Sequence, residues 1–228
     1  MTPPAPRGAG GTIPLAAKLL FTVWVAVWLP VYWLHHGPAN QLWLCDFANL
    51  VTLAGIWLES PLLLSSQLVA VTIPQIGWTL DWLGRIAFGF HPIGGTEYMF
   101  DQADPLWLRS FSLFHLWMLP LLVWLVRRVG YDRRGIYLQT ALMWGALLPL
   151  SWLASPRAEN VNWVWGPFNR EQAWMPPAAW LACLFVLYPL VLFLPPHWTA
   201  LRLLPAPRGD QRAAAAGAPE LTRSTARS

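Results

Sequence analysis

The stretch Leu106–Arg134 constrains this chain more than any other. It reads LWLRSFSLFHLWMLPLLVWLV and then RRVGYDRR. The first 21 residues are mostly apolar. At a rise of about 1.5 Å per residue they are long enough for a helix to cross a bilayer. The next eight residues hold four arginines, and such an end stays on the cytoplasmic side. His115 lies inside the apolar run, where an ionisable ring is costly without a partner. One segment therefore sets a crossing, a direction and a possible reactive group.

The same pattern repeats along the chain. Residues are 56% hydrophobic and only 11% charged, against roughly 25% charged in soluble domains. This predicts an all-α polytopic membrane protein with six transmembrane helices, at about 15–34, 41–58, 61–80, 106–126, 136–154 and 177–195. Residues 1–14 and 196–228 are rich in Pro, Gly, Ala and Arg, and are expected to be disordered on either side of a single transmembrane domain. The run Leu19–Leu34 is long for a signal sequence and no A-x-A site follows it, so it is read as an uncleaved first span. Asp81–Pro105 reads as a long polar loop whose start, DWLGRIAFGF, has the look of an interfacial helix. Many of the 17 tryptophans fall near the ends of apolar blocks, where an indole places its N–H at the water interface.

Charge fixes the orientation. With both termini inside, the inner segments carry eleven Lys and Arg (Arg7, Lys18, four in Arg127–Arg134 and five from Arg202 onward), against Arg85, Arg157 and Arg170 outside. The expected topology is N-in and C-in, in an inner membrane. The net charge of +4 is explained by this asymmetry and does not call for nucleic acid. One lysine against fourteen arginines points to a GC-rich bacterial genome.

The polar residues within spans gather toward the outer side. Cys45, Asp46 and Asn49 share one face of span two, and Ser112 and His115 share one face of span four. By helical rise Cys45 sits about 6 Å, Asn49 about 12 Å and His115 about 14 Å below the start of its span. Gln75 lies at a similar level in span three, and Arg109 is placed to pair with Asp46. Asn, Ser and Gln in spans commonly join helices by hydrogen bonds. A lone buried cysteine is commonly a packing residue. A sharper alternative joins Cys45 as nucleophile to His115 as base, with Asp46 orienting the ring. His35, His36, His91, Glu97 and Asp101 also fall on the outer side, but no two have ligand spacing on one helix, so neither a metal nor a cofactor is expected.

Two pieces, LCDFANL (Leu44–Leu50) and His115 followed by Pro120, resemble the six-span YwaF-like integral membrane family, relatives of a transmembrane Cys/His acyltransferase. The resemblance implies Cys45 as nucleophile and His115 as base, acting on lipid acyl chains. Trp43 stands where that family commonly has a histidine. TEYMFD, VGYDRR and NVNWVWGP are similar to strings in another group of bacterial multi-pass proteins. The reading is an acyltransferase or lipid hydrolase with Cys45, His115 and Asp46 at its centre and Asn49, Arg109, Gln75 and Ser112 around them. The alternative is a non-catalytic membrane subunit that docks a protein through NVNWVWGP; the sequence does not say which partner.

Overall fold

A computed structural model describes residues 12–168 and 170–207. The expected disorder of the first eleven residues and of residues 208–228 lies outside them, as do Arg7 and the last four arginines. Among the described residues the fold is helical throughout. Its principal helices are α1 (Leu15–His36), α2 (Leu44–Trp57), α3 (Pro61–Phe88), α4 (Leu106–Val129), α5 (Gly135–Ala154) and α6 (Pro177–Leu203).

Four of these, α1, α4, α5 and α6, are long and apolar enough to cross a membrane. The expected count of six is met only in part, for two different reasons. Helix α2 has 14 residues, about 21 Å of rise. Helix α3 has 28 residues, but Ser65, Ser66, Gln67, Gln75 and Asp81 interrupt its apolar character.

That interruption follows from position. Helix α3 packs against α2, α4, α5 and α6, and residues Leu64–Val71 are all buried. It is the axis of the bundle. Polar groups on such a helix meet protein rather than lipid, so their hydrogen bonds are made internally. Gln67 Nε2 donates to Gln139 Oε1 on α5 (3.2 Å), and the Asp132 N–H donates to Ser65 Oγ (2.9 Å). Gly135 allows this approach: a Cβ there would stand 2.8 Å from the Ser66 nitrogen. Exposed apolar surface lies on the outer helices, as in Leu19, Leu20 and Val23 on α1 and Val186, Leu190 and Val191 on α6, and on the second half of α3, at Ile76, Leu80 and Leu83.

Proline shapes two outer helices. Pro149 lacks an N–H and its ring crowds the carbonyl one turn back; the five residues Met143–Leu147 just before it form a wider π turn. A second π turn, Tyr188–Phe193, precedes Pro195 and Pro196. The helix absorbs these prolines instead of ending at them. Residues 196–203 are therefore helical, which corrects the expectation of a disordered tail from 196. Likewise α3 runs on to Phe88, so Asp81–Phe88 continues the helix and is neither loop nor separate interfacial segment.

The antiparallel hairpins sort the connections into two ends. At the termini end Lys18 pairs with Glu59 (2.7 Å). There too the Tyr131 N–H donates to the Pro205 carbonyl and the Tyr131 hydroxyl meets His197 Nδ1 (2.7 Å). The VGYDRR string thus fastens α6 and the residues just after it. The other end carries loops 37–43, 89–105 and 155–176.

Candidate functional site

Apart from the Ser65, Gln67 and Gln139 ties toward the termini end, a second group of polar residues lies toward the loop end on α1, α2, α3 and α4. The hairpin of α2 and α3 sets the levels. Gly55 meets Leu64, so in this antiparallel pair Cys45 stands opposite residue 74 of α3. Trp78 is four residues further on, about 6 Å closer to the loops.

His115 lies flat on Trp78, with ring centroids 4.6 Å apart and planes at 14°. Its Nδ1 is 2.7 Å from the Ser112 carbonyl. A carbonyl only accepts, so Nδ1 carries the proton and Nε2 is left as the acceptor. The Ser112 hydroxyl pairs with Tyr32 Oη (2.7 Å), and Trp78 Nε1 donates to Tyr98 Oη (2.9 Å). Two helices, α1 and α4, and the loop before α4 are tied to α3 around this one imidazole.

Asp46 occupies the first turn of α2, 6% exposed. Asn40 Nδ2 donates to its Oδ2 (2.9 Å). Its electrostatic neighbours include Cys45, Tyr32 and Tyr98. The expected ion pair with Arg109 is not formed among the described residues. Arg109 instead donates to the Met99 carbonyl (2.6 Å), because the first turn of α4 rests on the short 3-10 turn Glu97–Met99. Asn49 is a helix tie, accepting from Trp24 Nε1 (3.0 Å) and donating to the Cys45 carbonyl (3.2 Å).

Cys45 is half-buried, with Asp46, Tyr98 and Tyr188 as its titratable neighbours. No hydrogen bond joins its sulfur to His115. The two residues are brought to the same end of the bundle, but not into a preassembled dyad. Gln75, one turn below Trp78 on α3, is 1% exposed, and neither its amide oxygen nor its amide nitrogen has a partner. Ser112 thus holds His115, Asn49 is committed to Trp24 and Cys45, and Arg109 gives one donor to Met99 while its buried Nε has no partner among the described residues.

The loop above the site is held by Asp81. It stands twenty residues beyond Pro61, about 30 Å along the helix. Its carboxylate accepts from the backbone N–H groups of Ile93, Gly94, Gly95 and Thr96, and from the Thr96 hydroxyl, at 2.6–3.0 Å. Burial opposes charge on this group, and these donors outweigh it and hold the carboxyl below the usual range. Asp81 was not among the residues the sequence singled out for the site. Its ligand-like neighbours His91 and Glu97 come with it, the three donor atoms all within 4.8 Å of one another. Both Asp81 oxygens already accept hydrogen bonds from a ring of N–H groups, an environment made for an anion and poorly suited to a cation.

The string NVNWVWGP is used inside the protein. Asn162 accepts from the Leu44 N–H at the start of α2 (3.0 Å) and donates to the Leu42 carbonyl (2.7 Å) and Ser151 Oγ (2.9 Å). Its own carbonyl accepts from Tyr188 Oη. Asn160 and Asn162 adopt left-handed backbone, which asparagine tolerates better than most residues. Val161 and Val164 are fully buried. The string that was expected to dock a partner is a clamp between α2, α5 and α6.

Tyr32, Trp78, Tyr98 and Asn40 are functional candidates that sequence reading missed. A signal existed for two: Trp78 follows Gln75 at i+3, and Tyr98 lies in the TEYMFD string. Comparison with protein-family models, curated proteins and solved structures gives no match to this chain. Its function is argued from the site alone.

Proposed function

We propose that this is a multi-pass protein of a bacterial inner membrane, with six crossings and both termini in the cytoplasm, which takes the polar end of a lipid into the loop end of its bundle and cleaves or transfers an acyl group there. Four helices have the length and composition to cross. The two further crossings are supported by α2 packing against α1 and α3 and by the burial of the first half of α3, while Ile76, Leu80 and Leu83 give its second half an apolar outer face. The orientation rests on the arginines of 127–134 lying at the termini end, and the positive-inside rule puts that end in the cytoplasm.

The observation that carries the chemistry is the His115 tautomer. With Nδ1 fixed on the Ser112 carbonyl, Nε2 is a free acceptor, about one helical turn nearer the loops than the Cys45 thiol. In the proposed reaction Nε2 takes the thiol proton and the thiolate adds to the ester carbonyl. The ester C–O bond breaks, and the leaving alcohol collects the proton. Water or a second alcohol then resolves the thioester. The absence of a Cys45–His115 hydrogen bond favours a second reading, in which the site binds a lipid without transforming it.

The test compares lipid turnover by membranes holding wild-type, Cys45→Ser or His115→Ala protein at matched amounts. Loss of turnover in both variants supports catalysis. Undiminished turnover removes it and leaves the binding reading.

A further inference from the structure

The two contacts that hold the His115 ring have one group in common. Trp78 supports the face of the imidazole, and the Ser112 carbonyl takes its Nδ1 proton. Trp78 Nε1 donates to the Tyr98 hydroxyl (2.9 Å). The same hydroxyl hydrogen-bonds the Ser112 side chain. An indole N–H only donates, so the phenol oxygen accepts from Trp78 and keeps its own proton for Ser112 Oγ. Ser112 Oγ in turn meets Tyr32 Oη (2.7 Å). One oxygen thus ties α3 to α4 through the two residues that touch the imidazole, one at its face and one at its edge.

Tyr98 comes from outside the long helices. The loop 89–105 brings it in and fixes it on both sides. Two residues before it, the Thr96 N–H and hydroxyl donate to the Asp81 carboxylate. One residue after it, the Met99 carbonyl accepts from Arg109. Tyr98 itself remains 39% exposed and belongs to neither apolar core among the described residues. Its ring adds little to packing, so the hydroxyl is the part the site uses.

We infer that Tyr98 is a positioning residue for His115: its hydroxyl holds Trp78 and Ser112 together, and the imidazole keeps one plane and one tautomer, with the proton on Nδ1. The outer loop is thereby part of the site, and Asp81 reaches the imidazole through it. The use of His115 as a base rests on the acyl-transfer reading above; the state of its ring does not.

The experiment uses the full-length protein with isotope-labelled histidine, in phosphatidylcholine nanodiscs at about pH 8, where ordinary histidines are neutral. Nitrogen NMR separates protonated from bare ring nitrogens, and the His115 signals are those missing from His115→Ala. The expected wild-type result is a single tautomer protonated on Nδ1. Tyr98→Phe deletes the hydroxyl alone and should raise the other tautomer about fivefold or more, the scale of one lost hydrogen bond. Trp78→Phe keeps an aromatic face and loses the indole N–H. It should shift the balance the same way, and it serves if Tyr98→Phe does not fold. Tyr137→Phe, at a residue 75% exposed on α5, should leave the His115 signals unchanged. A lowered unfolding midpoint in Tyr98→Phe with the wild-type tautomer kept in both variants would show a structural role alone and overturn the inference. A mixture of tautomers in the wild type would overturn it too. Lipid turnover tests the other reading separately. Where turnover is seen, Tyr98→Phe should lower kcat in proportion to the tautomer lost and leave KM unchanged. A shifted tautomer in a protein that turns over no lipid supports the positioning role and removes acyl transfer.

Discussion

At the scale of single residues, two side chains do most to fix the loop end, and both act through backbone. Asn162 satisfies the Leu44 N–H, the Leu42 carbonyl and the Ser151 hydroxyl at once. Asn162→Ala leaves these groups without partners in a site that is 2% exposed. We expect a loss of about 3 kcal/mol, at roughly 1 kcal/mol for each bond, read as a lowered thermal unfolding midpoint in detergent. Asp81 gathers four backbone N–H groups, and Asp81→Asn turns an amide N–H₂ toward those donors. Its pH dependence has a definite sign. The folded-state carboxyl titrates below its ordinary value of 3.8, so its stabilisation is complete above that pH and is lost as pH falls through the lower folded value. The gap in unfolding midpoint between wild type and Asp81→Asn should stay constant from neutral pH to about pH 5 and close only in stronger acid. A gap that already narrows between pH 7 and 6 would show that Asp81 is not the group responsible.

Among the helices, α3 and α5 meet backbone to backbone. Gly135 faces the backbone of Ser65 and Ser66 with no room for a Cβ, and the Gln67–Gln139 bond lies one helical turn deeper. Gly135→Leu must therefore separate the helices. It should abolish recovery of folded, monodisperse protein, whereas Gly145→Leu, where a Cβ meets nothing within 4 Å, should be recovered normally. Size-exclusion profiles after identical extraction distinguish the two. Equal recovery would mean that α3 and α5 are not held by backbone proximity.

The molecule as a whole was legible in proportion to how much of it faces lipid. Helices α1, α4, α5 and α6 must be apolar along their length, and their starts were readable to within a residue. The end of α6 was not, because Pro195 and Pro196 look like terminators and are instead accommodated by a π turn. The end of α3 was misread because Asp81 looks like a solvent residue; its charge is met by backbone N–H groups brought from a loop more than ten residues away. At the site, helical rise gives depth, and Cys45, Asp46, Gln75 and His115 lie toward the loop end of their helices. Pairing depends on how each helix is rotated and where each loop folds, which is why Arg109 was assigned to Asp46 and belongs to Met99. The proposed orientation has its own check, in a background of Cys45→Ser and Cys183→Ala. A cysteine introduced as Gly95→Cys should react with a membrane-impermeant maleimide in intact cells, and one introduced as Arg133→Cys only after permeabilisation. The opposite pattern would invert the protein.

The enclosure of α3 has a bearing on how the chain reaches its membrane. A segment that keeps serines, glutamines and an aspartate along its length gains little from lipid by itself, while α1 before it is fit to enter alone. In the six-crossing arrangement proposed above, insertion of α3 is a cooperative act with its neighbours: the short turn at Glu59–Ser60 delivers it as the second arm of a hairpin with α2, and α4 and α5 then cover its polar first half.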